Sequence, residues 1–372
     1  MRFPSPRWMK YRWTLPTFIL VSLSLGYLLF QGLPLLDRDQ TITNAETGTK
    51  THKILVWHWP FGNSFNLDGD FCKDKFGVPN CIMMDNQSRL SEADIVIFHN
   101  RELIQGQQRL PVNRKRPEKQ RWVWLTMESP ANNGDVKPFA GYFNWTMTYH
   151  QDADIYSPYG FMVPKESETH EPLESFIPKD KTDLACWVVS NFSPHHKRTT
   201  IYEKLKTVIP IKVYGGAVNK RLDDQTLLPT ISRCSFYLAF ENSVFRDYIT
   251  EKLWRNAYMS GAVPVVFGPT REEYEAVAQK DSFIHVNDFS SVEELGEFLK
   301  TLAADRERYA SYFNWRRKYT VEITHWVELA CKFCPKISSL PPYKVYENLD
   351  AWQRGQNCWY PSCKEGKTHN CH

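Results

Sequence analysis

The stretch FYLAFENSVFRDYITEKLWRNAYMSGAVPVVFGP, Phe236 to Pro269, decides the fold. It opens with an apolar run of strand length, FYLAFEN (236–242), that breaks off at Glu241-Asn242. A polar loop follows. ITEKLWRNAYMSG (249–261) then has helical spacing, with Asp247 or Thr250 placed to cap it and Gly261 to close it. AVPVVFG (262–268) is apolar again. Strands that are apolar throughout, with a helix between them, belong to a parallel sheet covered on both faces.

Working outward, the alternation continues through strands ACWVVSN (185–191), IKVYGG (211–216) and SFIHVND (282–288) and helices HKRTTIYEKLK (196–206), REEYEAVAQ (271–279) and SVEELGEFLKTLAAD (291–305). A second set of apolar runs, KILVWHW (53–59), ADIVIFH (93–99) and WVWLTM (122–127), lies upstream. Between the two sets PKESETHEPLESFIPKDKTD (164–183) is poor in apolar residues and reads as a linker. The expected fold class is α/β: two Rossmann-like domains, 53–163 and 184–345, facing a cleft, then a C-terminal helix and Cys-containing tail over 346–372. In this architecture ligands sit outside the carboxyl ends of strands, so chemistry is sought there.

With 372 residues, 42% apolar and 24% charged, a disordered chain, a collagen and a multi-span membrane protein are excluded. The net charge of +4 is accounted for by Arg2, Arg7, Lys10 and Arg12, which precede the first acidic residue, Asp37. Residues 37–372 are therefore neutral, and no nucleic-acid partner is indicated. From Leu15 to Leu36 runs an uncharged segment of 22 residues, roughly 33 Å as a helix and enough to span a bilayer core. A cleaved signal peptide needs small residues before its cut, and QGLPLLD (31–37) is a poor match. The expectation is a single transmembrane signal-anchor over 13–36, a cytosolic tail over 1–12, a stem over 37–52 and the remainder in a lumen, a type II membrane protein.

Sequons at Asn86, Asn144 and Asn191 fit a lumen as N-glycosylation sites, although Pro194 directly follows the third. Nine cysteines in an oxidising compartment pair, and an odd number leaves one over unless it bonds to a second chain, so a homodimer stays open. Cys358, Cys363 and Cys371 with His369 and His372 do not have the spacing of a zinc knuckle.

Asn242, Arg246, Tyr248, Glu251 and Lys252 fall at a strand end or in the first turn of a helix, where free amides and the positive dipole end favour an anion. An ordinary capped helix with surface charges has the same spacing. The string FENSxxxDYITEKxWRNA followed by GxVPVVxGP resembles the signature of the α1,3-fucosyltransferases, which transfer L-fucose from GDP-fucose to N-acetylglucosamine. ILVWHWPFG (54–62), FHNREL (98–103), LTMESP (125–130), FNWTMTY (143–149), DADIYSPYG (152–160) and WVVSNF (187–192) agree, so the resemblance covers roughly Lys53 to Trp352.

The resemblance implies a GT-B type, two-Rossmann glycosyltransferase with inverting chemistry and no required cofactor or metal. Glu128, in MESP, corresponds to the family's general base; without the family it reads as a cap before Ser129-Pro130. Arg198 and Lys252 correspond to the cations on the donor phosphates, with Asn242 and Tyr248 beside them and Glu251 on the ribose. Asp152-Ala153-Asp154 looks like the metal motif of other glycosyltransferases, but in this family that segment holds no metal. Acceptor binding falls to Asn63, His99 and Arg101; an arginine at the last position goes with type 2 chains (galactose β1,4 to N-acetylglucosamine) and Lewis x or sialyl Lewis x products. Asn100 and Asn63 depart from the common residues there. Family bridges would join Cys186 to Cys234 and the Cys72/Cys81 pair to Cys331/Cys334; some relatives pair locally instead. The expected partners are GDP-fucose and N-acetyllactosamine-type glycans of glycoproteins and glycolipids, and the expected location is the Golgi membrane. The alternatives are a core N-glycan α1,3-fucosyltransferase and a non-catalytic luminal glycan-binding relative.

Overall fold

Two parallel sheets carry the chain. The first is built from β1 (His52–Val56), β2 (Cys81–Met84), β3 (Ile95–His99), β4 (Arg121–Leu125), β5 (Trp145–Thr148) and β6 (Ile155–Tyr156), in the order β2-β1-β3-β4-β5-β6. After β7 (Gly160–Pro164), the second takes β8 (Asp183–Val188), β9 (Ile211–Tyr214), β10 (Cys234–Phe240), β11 (Val263–Phe267) and β12 (Ile284–His285), in the order β12-β11-β10-β8-β9. These coordinates are a computed structural model that describes residues 50–355 apart from Pro342. The expected tail 1–12, anchor 13–36 and nearly all of the stem lie outside the described residues, as do Cys358, Cys363 and Cys371. Among the described residues no helix is long and apolar enough to cross a membrane.

The apolar runs are continuous because both faces of each sheet are covered. All five residues of β3 are buried, and β10 keeps only Ser235 partly in water. Helix Val292–Ala304 shows how a face is closed: Ser291 caps it by accepting from the Glu294 amide, and Leu295, Leu299 and Leu302 at helical spacing are wholly buried against the second sheet.

The sequence reading did not expect β5, β6, β7 or helix Asp224–Ser232, and the structure differs from it in three further ways. β2 was not expected; its four residues are too short a run to stand out, and Asn80 turns into it at φ 60°. The helix expected over 249–261 is a π-helix, Lys252–Met259, whose wider turn buries Leu253, Trp254, Asn256, Ala257 and Tyr258 together. Gly261 does end it, at φ +75° with Pro178 so close that a Cβ would sit 2.7 Å from its ring.

The third difference concerns the domain boundary expected at 345. β13 (Tyr319–Ile323) pairs antiparallel with β7, and the chain then returns to the first sheet. Val327, Ala330, Cys331 and Cys334 are buried in the same core as β1, β3 and β4, while Tyr346, Leu349 and Trp352 fill its other face. Disulfides Cys72–Cys331 and Cys81–Cys334 fasten the return, and Cys186–Cys234 ties β8 to β10.

The two long-range bridges close almost the same loop, of 259 and 253 residues. Losing either one releases only a short ring and is expected to cost about 3 kcal/mol, whereas losing both releases the long loop as well and costs about 8 kcal/mol. Denaturant unfolding of Cys72→Ala/Cys331→Ala, Cys81→Ala/Cys334→Ala and the quadruple variant measures the difference; equal costs for double and quadruple variants would contradict it.

Candidate active site

The carboxyl ends of both sheets open into one cleft of about 760 Å³. β4 delivers Leu125, Thr126, Met127 and Glu128 to its wall, β3 delivers His99, and from the second sheet Asn191 and Asn242 face them. Glu128 is half-buried. Its Oε2 accepts from Asn132 Nδ2 and from the Tyr248 hydroxyl, each at 3.4 Å. Both partners are neutral, so the carboxylate is positioned without being matched by a cation. Burial pushes the Tyr248 and Tyr159 hydroxyls well above the ordinary tyrosine value, which keeps both as donors. Tyr159 donates to the Met127 carbonyl, and Tyr248 lies edge-on to it, 6.4 Å between ring centres.

One end of the cleft is aromatic and cationic. Phe61, 59% exposed and at φ 57°, has the Arg101 guanidinium 4.9 Å from its ring centre and the His99 ring at 5.4 Å. Buried Glu102 accepts from the Phe61 amide at 2.9 Å and bonds His99 Nδ1. Burial pulls His99 below its ordinary value, against the pull of Glu102. Asn63 and Trp326 line the same end.

At the other end the residues expected at the donor divide into two layers. Asn242 and Glu251 line the cleft, but Lys252, Arg198 and Tyr248 stand behind its wall. One amide expected to take an anion at the helix start, that of Thr250, is already matched from the chain itself: Glu241, fully buried, accepts from the Thr250 amide and hydroxyl, both at 2.9 Å. Lys252 Nζ pairs with the same carboxylate at 2.9 Å, with Glu251 at 3.2 Å and with Thr250 Oγ1 at 2.8 Å. Burial pushes the Glu241 carboxyl up and Lys252 pulls it back; the donors converging on it call for the ionised form. Burial also works against the Lys252 charge, but Glu241 and Glu251 outweigh it and hold the ammonium above its usual value. Arg198 donates to the Phe240 carbonyl at 3.2 Å and to that of Asn191, and its Nε is buried without a partner. Burial, only partly offset by Glu241, pulls the guanidinium down.

The lobes are joined beside the cleft. Ser243 Oγ donates to Ser129 Oγ at 2.7 Å, and Asp247, at φ 61°, accepts from the Gln151 amide at 3.0 Å. His150, Asp152 and Asp247 bring ligand atoms within 4.8 Å of one another, the geometry a cation would need. Arg246 already lies 3.7 Å from Asp152 and 3.5 Å from Asp247. Asp154 is committed elsewhere, to Lys344 at 2.6 Å and the Tyr346 hydroxyl at 2.7 Å.

The three sequons fall in different places. Asn86 is exposed, its Oδ1 accepting from the Ser88 amide. Asn144 is buried, with Nδ2 donating to the Lys344 carbonyl at 2.9 Å. Asn191 lines the cleft, so a glycan there would occupy substrate space.

Glu241, Glu102, Asn132 and Tyr159 were missed by the sequence reading. Glu102 carried a signal in its helical i, i+3 spacing from His99, and Glu241 in ending an apolar strand.

Two family models match the chain: "Fucosyltransferase, N-terminal" over residues 49–160 and "Glycosyltransferase family 10 (fucosyltransferase) C-term" over 178–352. Alpha-(1,3)-fucosyltransferase 7 of Rattus norvegicus is 45% identical over 304 residues, 81% of this chain and 80% of the relative. The 4-galactosyl-N-acetylglucosaminide 3-alpha-L-fucosyltransferase 9 of Homo sapiens is 41% identical over 300 residues, 80% and 81% of the two chains. A crystal structure of an alpha1,3-fucosyltransferase with GDP-fucose superimposes with a TM-score of 0.50 at 16% identity, covering 83% of this chain and 96% of that one, a likeness of fold.

The Glu241–Lys252 pair can be tested apart from any ligand. Lys252→Met strands a buried carboxylate and is expected to cost about 3–5 kcal/mol. Adding Glu241→Gln removes that charge and returns most of the loss. Chemical unfolding of the single and double variants reads the effect, and a double variant no more stable than Lys252→Met would refute it.

Proposed function

From the premise that the chain belongs to glycosyltransferase family 10, the fucosyltransferases, we propose that it transfers L-fucose from GDP-β-L-fucose to the 3-hydroxyl of N-acetylglucosamine in type 2 glycans, with inversion, on a GT-B type scaffold. The observation that carries this reading is the Glu128 carboxylate, held by neutral donors in a cleft whose two ends are chemically different.

Each end has a task. Glu128 accepts the proton of the acceptor hydroxyl as that oxygen bonds to the fucose anomeric carbon; the bond from that carbon to the β-phosphate oxygen breaks, and GDP leaves with the electron pair. Asn242 and Glu251 meet the nucleotide directly, Arg198 supplies positive potential from just behind the wall, and Lys252 holds Glu251 and Glu241 in place. Phe61 offers an apolar face to a sugar ring, and Arg101, His99 and Asn63 offer polar contacts to the acceptor. The products are Lewis x and sialyl Lewis x structures on glycoproteins and glycolipids. The enzyme works as a single-pass type II protein of the Golgi membrane, its catalytic part in the lumen, and needs no metal.

Full-length protein incubated with GDP-fucose, EDTA and a panel of type 1, type 2 and sialylated acceptors should fucosylate the type 2 chains at the 3-position; exclusive use of core N-glycans would favour the alternative acceptor. Glu128→Gln is expected to lose about 10²–10⁴-fold in transfer rate while GDP affinity stays unchanged. Wild-type turnover in that variant would sink the assignment of the base.

A further inference from the structure

Behind Glu128 lies a buried chain of side-chain amides that no part of the proposed reaction uses. Asn100, Thr126, Asn133 and Gln353 are each at most 3% exposed. Asn133 is the hub. Its Oδ1 accepts from Thr126 Oγ1 at 2.7 Å and from Asn100 Nδ2 at 3.2 Å. Its Nδ2 donates to the Glu128 carbonyl at 3.1 Å and to Gln353 Oε1 at 2.9 Å. Thr126 Oγ1 in turn accepts from the Glu128 amide at 3.2 Å, so both backbone polar groups of Glu128 end in the same hub. Asn100 is oriented by Trp124 Nε1, which donates to its Oδ1 at 3.0 Å.

Gln353 comes from helix Leu349–Gln353, 220 residues along the chain from Asn133. The helix is seated by Trp352, whose ring meets Trp124 at 6.4 Å and Tyr346 at 5.2 Å. We propose that Gln353 is a positioning residue for the general base: from the C-terminal helix it completes the amide network that fixes the backbone of Glu128. The proposal rests on the reading of Glu128 as the base.

The physical reason is satisfaction of hydrogen bonds. The Asn133 amide has two hydrogens, and without Gln353 one of them is buried with no acceptor. Asn133 relaxes by turning, and the bond to the Glu128 carbonyl turns with it. A base displaced by a fraction of an ångström loses rate, whereas donor contacts on the other sheet are untouched.

The test uses the full chain. Gln353→Met removes the acceptor at similar volume, and Thr126→Val removes the hydroxyl. Each is expected to lower kcat about tenfold with KM for GDP-fucose close to wild type, and to lower Tm only by the small amount that one unsatisfied buried donor costs. Thr126→Ser restores kcat. The Gln353→Met/Thr126→Val double variant is no slower than the worse single, because both break one network. Unchanged kcat in Gln353→Met overturns the proposal, and so does a fall in kcat accompanied by a matching change in donor KM, the mark of a merely structural role. Glu128→Gln measured in parallel separates the two readings: if it keeps wild-type turnover the base assignment fails, and if it collapses while Gln353→Met is fully active only the positioning role fails.

Discussion

A carboxylate with no access to water sits just past β10, and the arrangement of the cleft follows from what must surround it. Glu241 is tolerable there only because the Thr250 amide, the Thr250 hydroxyl and the Lys252 ammonium converge on it. Satisfying them draws the start of the π-helix back to the end of the strand and fixes the loop between. Asn242, Ser243, Arg246, Asp247 and Tyr248 lie in that loop and reach the cleft or the other lobe. One buried charge thereby sets the position of a wall, inter-lobe contacts and a hydroxyl aimed at Glu128.

The other lobe is held by a different device. Glu128 has no buried ion pair behind it; its backbone is gripped by neutral amides, which leaves the carboxylate's own electrostatics to the cleft. Buried ion pairing is thus concentrated on the nucleotide side, while the bonds that hold Glu128 itself come from neutral groups. A cation beside Glu128 would lower its basicity, the property the reaction asks of it.

Much of this was legible in the sequence, for definite reasons. Strands such as Ile95–His99 and Cys234–Phe240 are continuous apolar runs because both faces are covered, and this signal needs only local spacing. Residues at strand ends, Glu128 and Asn242 among them, could be located by the same logic, and a long motif supplied their roles. What escaped was long-range pairing. Nothing near Gln353 in the chain indicates that its oxygen meets Asn133, and nothing near Lys252 says that its charge is matched by Glu241 rather than left for a ligand. The π-helix was hidden because its apolar positions also fit a regular helix. Asn144 lies in a sequon whose burial depends on where Lys344 and Tyr346 dock, and that docking is tertiary.

The return of the chain to the first lobe has a consequence for biosynthesis. Ribosomes emit a protein from its amino end, and usually the leading domain closes first. Here the leading lobe lacks part of its interior until Val327, Cys331 and Trp352 have emerged, whereas the second sheet, from Asp183 to His285, is contiguous and closes without them. The core that backs Glu128 is therefore complete only after segments made later than the whole second sheet have docked against it.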